Sequence, residues 1–243
     1  MTLIHTCVQC GKPVPNPDRD FCSDRCEKEQ LRWLENVGPS QTDTVFWYQY
    51  RLLQREFLDV LDYVAPTTSN CTVYSNRLLS LIRGIGAEVD SACKKIVNGP
   101  NPDDTNMGDW RPYLEKTFHI SRICMPVPMF HTYIRPFRQF EVGLAPEWWK
   151  AFTNLKHQRD QFFEQATLLN ALNGLGALLI LNVILLEPVF EKIWNLRGQT
   201  PPYSDVGIWT EIESLFRLWG PGIETTTGGG SHGTVTKVRI VRS

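Results

Sequence analysis

The sequence predicts a mainly α-helical protein: a helical bundle with a small irregular β or loop insertion, a short cysteine-rich module before it and a β-like tail after it. Three observations predict this. Apolar residues recur at spacings of three and four through two long segments between residues 43 and 97. A nearly unbroken apolar run extends from Ala166 to Leu186, and four of the seven cysteines crowd between Cys7 and Cys26. With 243 residues, 42% of them hydrophobic, the chain can build one main core and a small appendage. A net charge of −1 excludes a whole-molecule basic field, so any nucleic-acid contact must be local.

Residues 1–38 form the first expected module. "MTLIHTCVQC" lacks the basic and long apolar regions of a secretory signal, so a reducing cytoplasm is expected and disulfides are not. Two residues separate Cys7 from Cys10, eleven separate Cys10 from Cys22, and three separate Cys22 from Cys26. Two close pairs joined by a short loop can converge on one tetrahedral Zn²⁺. Gly11 follows the first pair where the chain must turn sharply around the metal. "SDRCEKEQLRWLENVG" then reads as a helix with Ser23 as N-cap, Leu31 and Leu34 on one side and Gly38 past its end. A redox-active CxxC is the rival reading, but thiol exchange needs no second cysteine pair at this distance. His5 could replace one cysteine, although a solvent-exposed histidine is the simpler reading. Four protein ligands leave no open position, so the zinc is structural in a segment too short to bury its own core.

"CVQCGK" followed by "FCSDRC" resembles the small bacterial zinc-knuckle family that includes the DNA gyrase inhibitor YacG, with its CxxCGK, short loop, FCSxxC and tryptophan-bearing helix. Phe21, Ser23, Arg25 and Trp33 fit that pattern beside the cysteines. The likeness covers about the first 35 residues and implies a treble-clef or knuckle-type module holding zinc on Cys7, Cys10, Cys22 and Cys26.

The body follows, over residues 39–220. "DTVFWYQYRLLQREFLDVLDYVAP" places Phe46, Tyr50, Leu53, Phe57, Leu61 and Val64 on one helix face, closing at Pro66. "VYSNRLLSLIRGIGAEVDSACKKIVNGP" repeats the period through Tyr74, Leu78, Leu81, Ile85, Val89 and Ile96 before an Asn98-Gly99-Pro100 stop; Gly84 and Gly86 weaken the helix or mark close packing. Over residues 100–146 the period fails. "WRPYLEKTF" reads as one or two helical turns, and the proline-rich stretch after it as a loop or small irregular hairpin packed against the bundle as an insertion. Cys71, Cys93 and Cys124 read as small apolar residues.

"APEWWKAFTNLKHQRDQFFEQATLLNALNGLGALLILNVILLEP" holds most of the functional content. Pro146 and Glu147 open a helix anchored by Trp148, Trp149, Phe152 and Leu155. Lys150, Asn154 and His157 fall at i, i+4 and i+7, and Lys156 and Arg159 flank the histidine, a positive patch suited to a phosphate. The apolar run after it, broken by Asn170, Asn173, Asn182, Gly174 and Gly176 and lacking a basic flank, reads as a buried central helix and not a membrane span.

"NLKHQRDQFFEQATLLNALNGLGALLIL" resembles the N-x-x-K-H-x-R segment and apolar helix of HEPN-like helical domains from bacterial defence, toxin and nucleotide-related proteins, and "GAEVDSACKKIV" resembles an earlier acidic helix of that group. The likeness spans roughly residues 45–195 and implies a bundle able to form a homodimer. Catalytic members are ribonucleases with an arginine four to six residues before a histidine. This chain has no arginine there; Lys150 is the nearest upstream cation at helical spacing, and lysine lacks the planar fork. The candidate catalytic residues are therefore His157, Arg159, Asn154 and Lys150, with Glu88 to orient the imidazole. The architectural reading stands beside it: Lys156 pairs with Asp160, while Asn154 and His157 hydrogen-bond within the bundle.

"DVGIWTEIESLFRLWGPG" reads as a last amphipathic helix, "ETTTGGGSHG" as a flexible linker and "TVTKVRIVRS" as a lone strand, so residues 221–243 form a Gly-rich linker and short β-like tail. No nucleotide loop, nucleophile triad or catalytic metal cluster is present in the sequence. The leading expectation is a zinc-containing, cytoplasmic interaction protein of a defence or toxin-type system, with a protein partner, or RNA or DNA as the other candidate partner. The alternative is a metal-independent ribonuclease using His157.

Overall fold

The computed structural model describes residues 12–14, 22–28, 41–97, 106–197, 223–230 and 233–240. Within them lie α1 (Gln41–Leu61), α2 (Asn76–Val97), α3 (Met107–Phe118), β1 (Met125–Val127), β2 (Thr132–Ile134), α4 (Glu147–His157), α5 (Leu168–Arg197), β3 (Ile223–Gly230) and β4 (Gly233–Ile240). The architecture is mainly α, as expected from the periodicity. The candidate ligands Cys7 and Cys10, and the expected helix through Ile208 and Trp219, lie outside the described residues.

α5 is the central element. It packs against α1, α2 and α4, and almost every residue from Leu168 to Leu186 is buried. That stretch is long and apolar enough to cross a membrane, but 78% of it is buried within the fold. The interrupting asparagines donate to nearby carbonyls: Asn170 Nδ2 to Gln165 at 2.8 Å, Asn173 Nδ2 to Leu169 at 3.0 Å and buried Asn182 Nδ2 to Leu178 at 2.9 Å, while the buried Oδ1 of Asn182 has no partner among the described residues. Thr167 Oγ1 accepts from the Asn170 N–H at 3.2 Å and caps the helix start.

α1 and α2 bury the predicted stripes. Tyr50, Leu53 and Phe57 face inward on α1, and Leu78, Leu81, Ile85 and Val89 on α2. Tyr74 differs: it is half exposed, precedes α2, and forms an isolated bridge with Thr167. Gly86 confirms close packing, because a Cβ there would lie 2.2 Å from Cδ2 of Phe152 on α4.

One expectation between residues 106 and 146 needs correcting. α3 is a twelve-residue helix, longer than the one or two turns read from "WRPYLEKTF". A reciprocal cap starts it: Asn106 Oδ1 accepts from the Gly108 N–H at 2.7 Å, and Asp109 accepts from the Asn106 N–H at 2.9 Å. The segment after it carries the small β1–β2 hairpin, with Met125 opposite Ile134, and packs closely against the bundle: Ile120, Ile123, Val127, Phe130, Phe137 and Phe140 belong to the same core as the helices. Cys93 is fully buried, whereas Cys71 and Cys124 are only half buried.

The Gly-rich tail is a strand and not a linker. β3 pairs antiparallel with β4 through Gly228↔Val235 and Gly230↔Gly233, and β4 lies against α5. Cross-strand bonds run between backbones, so side-chain-free residues can pair where composition suggests flexibility.

Tyr50 offers a test of the core. Its hydroxyl is buried with no partner among the described residues, and burial pushes the phenol far above its ordinary value. Burial likewise raises the Cys93 thiol. Both folded pKa values exceed the unfolded ones. The stability these groups contribute is therefore full below the unfolded values, about 8.5 for Cys and 10 for Tyr, and is lost as pH rises beyond them. Urea midpoints should be flat to about pH 8 and then fall. Tyr50→Phe should reduce the fall above pH 10 and raise neutral-pH stability by about 1 kcal/mol, since an unsatisfied hydroxyl is removed. A loss of stability in Tyr50→Phe would show that the hydroxyl has a partner.

Candidate functional site

The candidate site is a groove of about 680 Å³ between α2 and α4. From α2 come Ser80, Arg83, Gly84, Ala87, Asp90 and Ser91; from α4 come Trp149, Phe152, Thr153, Lys156 and His157. Helical geometry explains the shape. Ser80, Gly84, Ala87 and Ser91 follow one another at i, i+4, i+7 and i+11, so one side of α2 carries little bulk and leaves a trough. Phe152, only 7% exposed, forms its floor by lying against Gly86, and half-buried Trp149 forms a wall.

The electrostatics are lopsided. Asp90 is committed to Lys94 at 2.8 Å. Arg83 and His157 are exposed and have no hydrogen-bond or ionic partner among the described residues. The Lys156 Nζ sits 5.8 Å over the Phe152 ring, a cation–π contact, and the residue is exposed. The expected Lys156–Asp160 pair is not formed among the described residues, because α4 ends at His157 and Asp160 lies in the turn beyond.

The predicted catalytic residues divide. His157 is the last residue of α4 and lines the groove. Lys150 instead pairs with Glu147 at 2.8 Å, and Asn154 Nδ2 donates to Gln165 Oε1 at 3.0 Å, tying the following turn to the helix. Neither lines the groove. Arg159 is exposed in the turn after α4, and Glu88, its carboxyl raised by partial burial, does not line the groove either. Sequence reading missed Arg83. The available signal was the small-residue stripe of α2 beside it, which foretells a gap next to an uncompensated guanidinium.

In the N-terminal module, residues 24–28 are helical and Ser23 Oγ accepts from the Cys26 N–H at 3.3 Å, as the N-cap reading expects. Cys22 Sγ and Cys26 Sγ lie 3.6 Å apart. A disulfide would place the sulfurs about 2.05 Å apart. The 3.6 Å separation is within hydrogen-bond reach of two thiols, and close to the roughly 3.8 Å between two thiolates that share one tetrahedral zinc at about 2.3 Å each. Among the described residues no group of three or more His, Cys, Asp or Glu side chains gathers as a metal site.

Comparison with protein-family models, curated proteins and solved structures found no match for this chain.

Proposed function

We propose that this chain is a zinc-containing helical binding protein, in which the N-terminal knuckle is a docking head for a protein partner and the helical body is a rigid platform. The observation that supports it best is the 3.6 Å approach of the Cys22 and Cys26 sulfurs at a capped helix start. Cys7 and Cys10 would complete a tetrahedral set whose metal supplies the folding energy of a coreless segment. Capture of interaction partners on immobilised full chain tests it. Partners retained by wild type should be lost with Cys22→Ser/Cys26→Ser, while the melting of the helical body is unchanged. Equal capture by both would remove the docking role.

One observation favours a second reading, a ribonuclease: Arg83 shares the groove with His157 and would supply the phosphate-holding guanidinium missing upstream of the histidine. Labelled RNA given to wild type and His157→Ala should then be cut by the first alone, with chelator present. Identical product levels from both would end this reading.

A further inference from the structure

We infer that the α2–α4 groove is a binding site for single-stranded nucleic acid, with phosphates held by Arg83 and Lys156 and a base laid against the Trp149 wall. Three features carry the inference. The groove presents Arg83 and Lys156, neither paired with a carboxylate among the described residues, and a histidine, from two separate helices, and its single carboxylate, Asp90, is neutralised by Lys94. Such a cluster attracts an anion, and the guanidinium fork of Arg83 suits phosphate oxygens. Half-buried Trp149 adds aromatic surface to the same groove as the charges, a combination that holds a base and its phosphate together without reading sequence.

The dimensions favour a strand over a lone nucleotide. From Ser80 to Ser91 the trough floor runs about 16 Å along α2, at about 1.5 Å per residue. The rim residues Ser80, Arg83, Ser91, Lys156 and His157 are all exposed, so the trough lies open along its length and a chain can pass through it. The net charge of −1 supplies no whole-molecule field to hold a duplex, so the attraction is local to the groove.

The inference does not rest on the zinc reading, and it holds whether or not a bound strand is cut. Retained binding without product would leave it standing and remove the ribonuclease reading. Fluorescence anisotropy of the full chain with a labelled eight-nucleotide single-stranded RNA tests it at two salt concentrations. Arg83→Gln and Lys156→Gln should each weaken binding about five- to thirtyfold and lower the salt slope by about one. Ser80→Glu, an exposed position that tolerates the side chain, should abolish binding. Arg138→Gln, an exposed cation outside the groove, should bind like wild type. No binding by folded wild type, or equal losses from Arg138→Gln and Arg83→Gln, would overturn the proposal. Full displacement by a mononucleotide at micromolar concentration would overturn the assignment of a strand.

Discussion

Trp148→Ala is expected to lower the free energy of unfolding by about 3–5 kcal/mol, because the indole joins three parts of the fold. It is 3% exposed and meets Phe137 edge-on at 6.0 Å and Trp149 at 5.7 Å. It also lies over Gly174 of α5, where a Cβ would reach its ring at 3.4 Å. Its Nε1 donates to the Pro136 carbonyl at 2.7 Å, so truncation also orphans a backbone acceptor. Trp148→Phe should recover the packing but not that bond, and fall between the two. Urea unfolding followed by circular dichroism reads the effect. A loss below about 1 kcal/mol for the alanine variant would mean that the β1–β2 region is not fused to the helical core.

Gly86→Val carries the second large effect. Even a Cβ would stand within 2.2–2.6 Å of three ring atoms of Phe152, and a flat ring against a helix backbone cannot yield by that much without leaving its place. The added helix propensity of a non-glycine residue, at most about 1 kcal/mol, offsets little of an overpacking cost of roughly 1–3 kcal/mol or more. Gly86→Ala should already destabilise, and Gly86→Val more. Phe152→Leu removes the clashing ring edge. The double variant should therefore cost less than the two single changes together, a coupling measured by a double-mutant cycle. Since Phe152 floors the groove, Gly86→Val should also distort whatever the groove binds.

The parts of the fold legible in the sequence are those where one physical signal dominates. α1 and α2 are written in stripes of apolar residues three and four apart, and α5 in a run too apolar to face water. α3 was underestimated because Pro112 reads as a breaker, while its start is fixed by an Asn106–Asp109 reciprocal cap that the expectation did not weigh. β3 was missed for a related reason. Gly228, Gly229 and Gly230 carry no β signal of their own, and their pairing is set by the partner strand. The density of aromatics between Phe118 and Phe140 could have shown how deeply this stretch packs into the core.

The site was half legible. His157 and Lys156 stand out because they sit together near a helix end. Helical spacing alone also drew in Lys150 and Asn154, which the fold commits to Glu147 and Gln165. Arg83 comes from a different helix, and only tertiary packing brings it beside His157. Proximity across helices is a property of crossing geometry, which a periodic pattern does not encode.

Zinc content per chain tests the central claim most directly, measured by native mass spectrometry or elemental analysis on full-length protein purified without chelator. The account predicts one zinc per chain in wild type and almost none in Cys22→Ser/Cys26→Ser, with the melting of the helical body unaltered. Wild-type metal far below one per chain, or undiminished metal in the double variant, would contradict it.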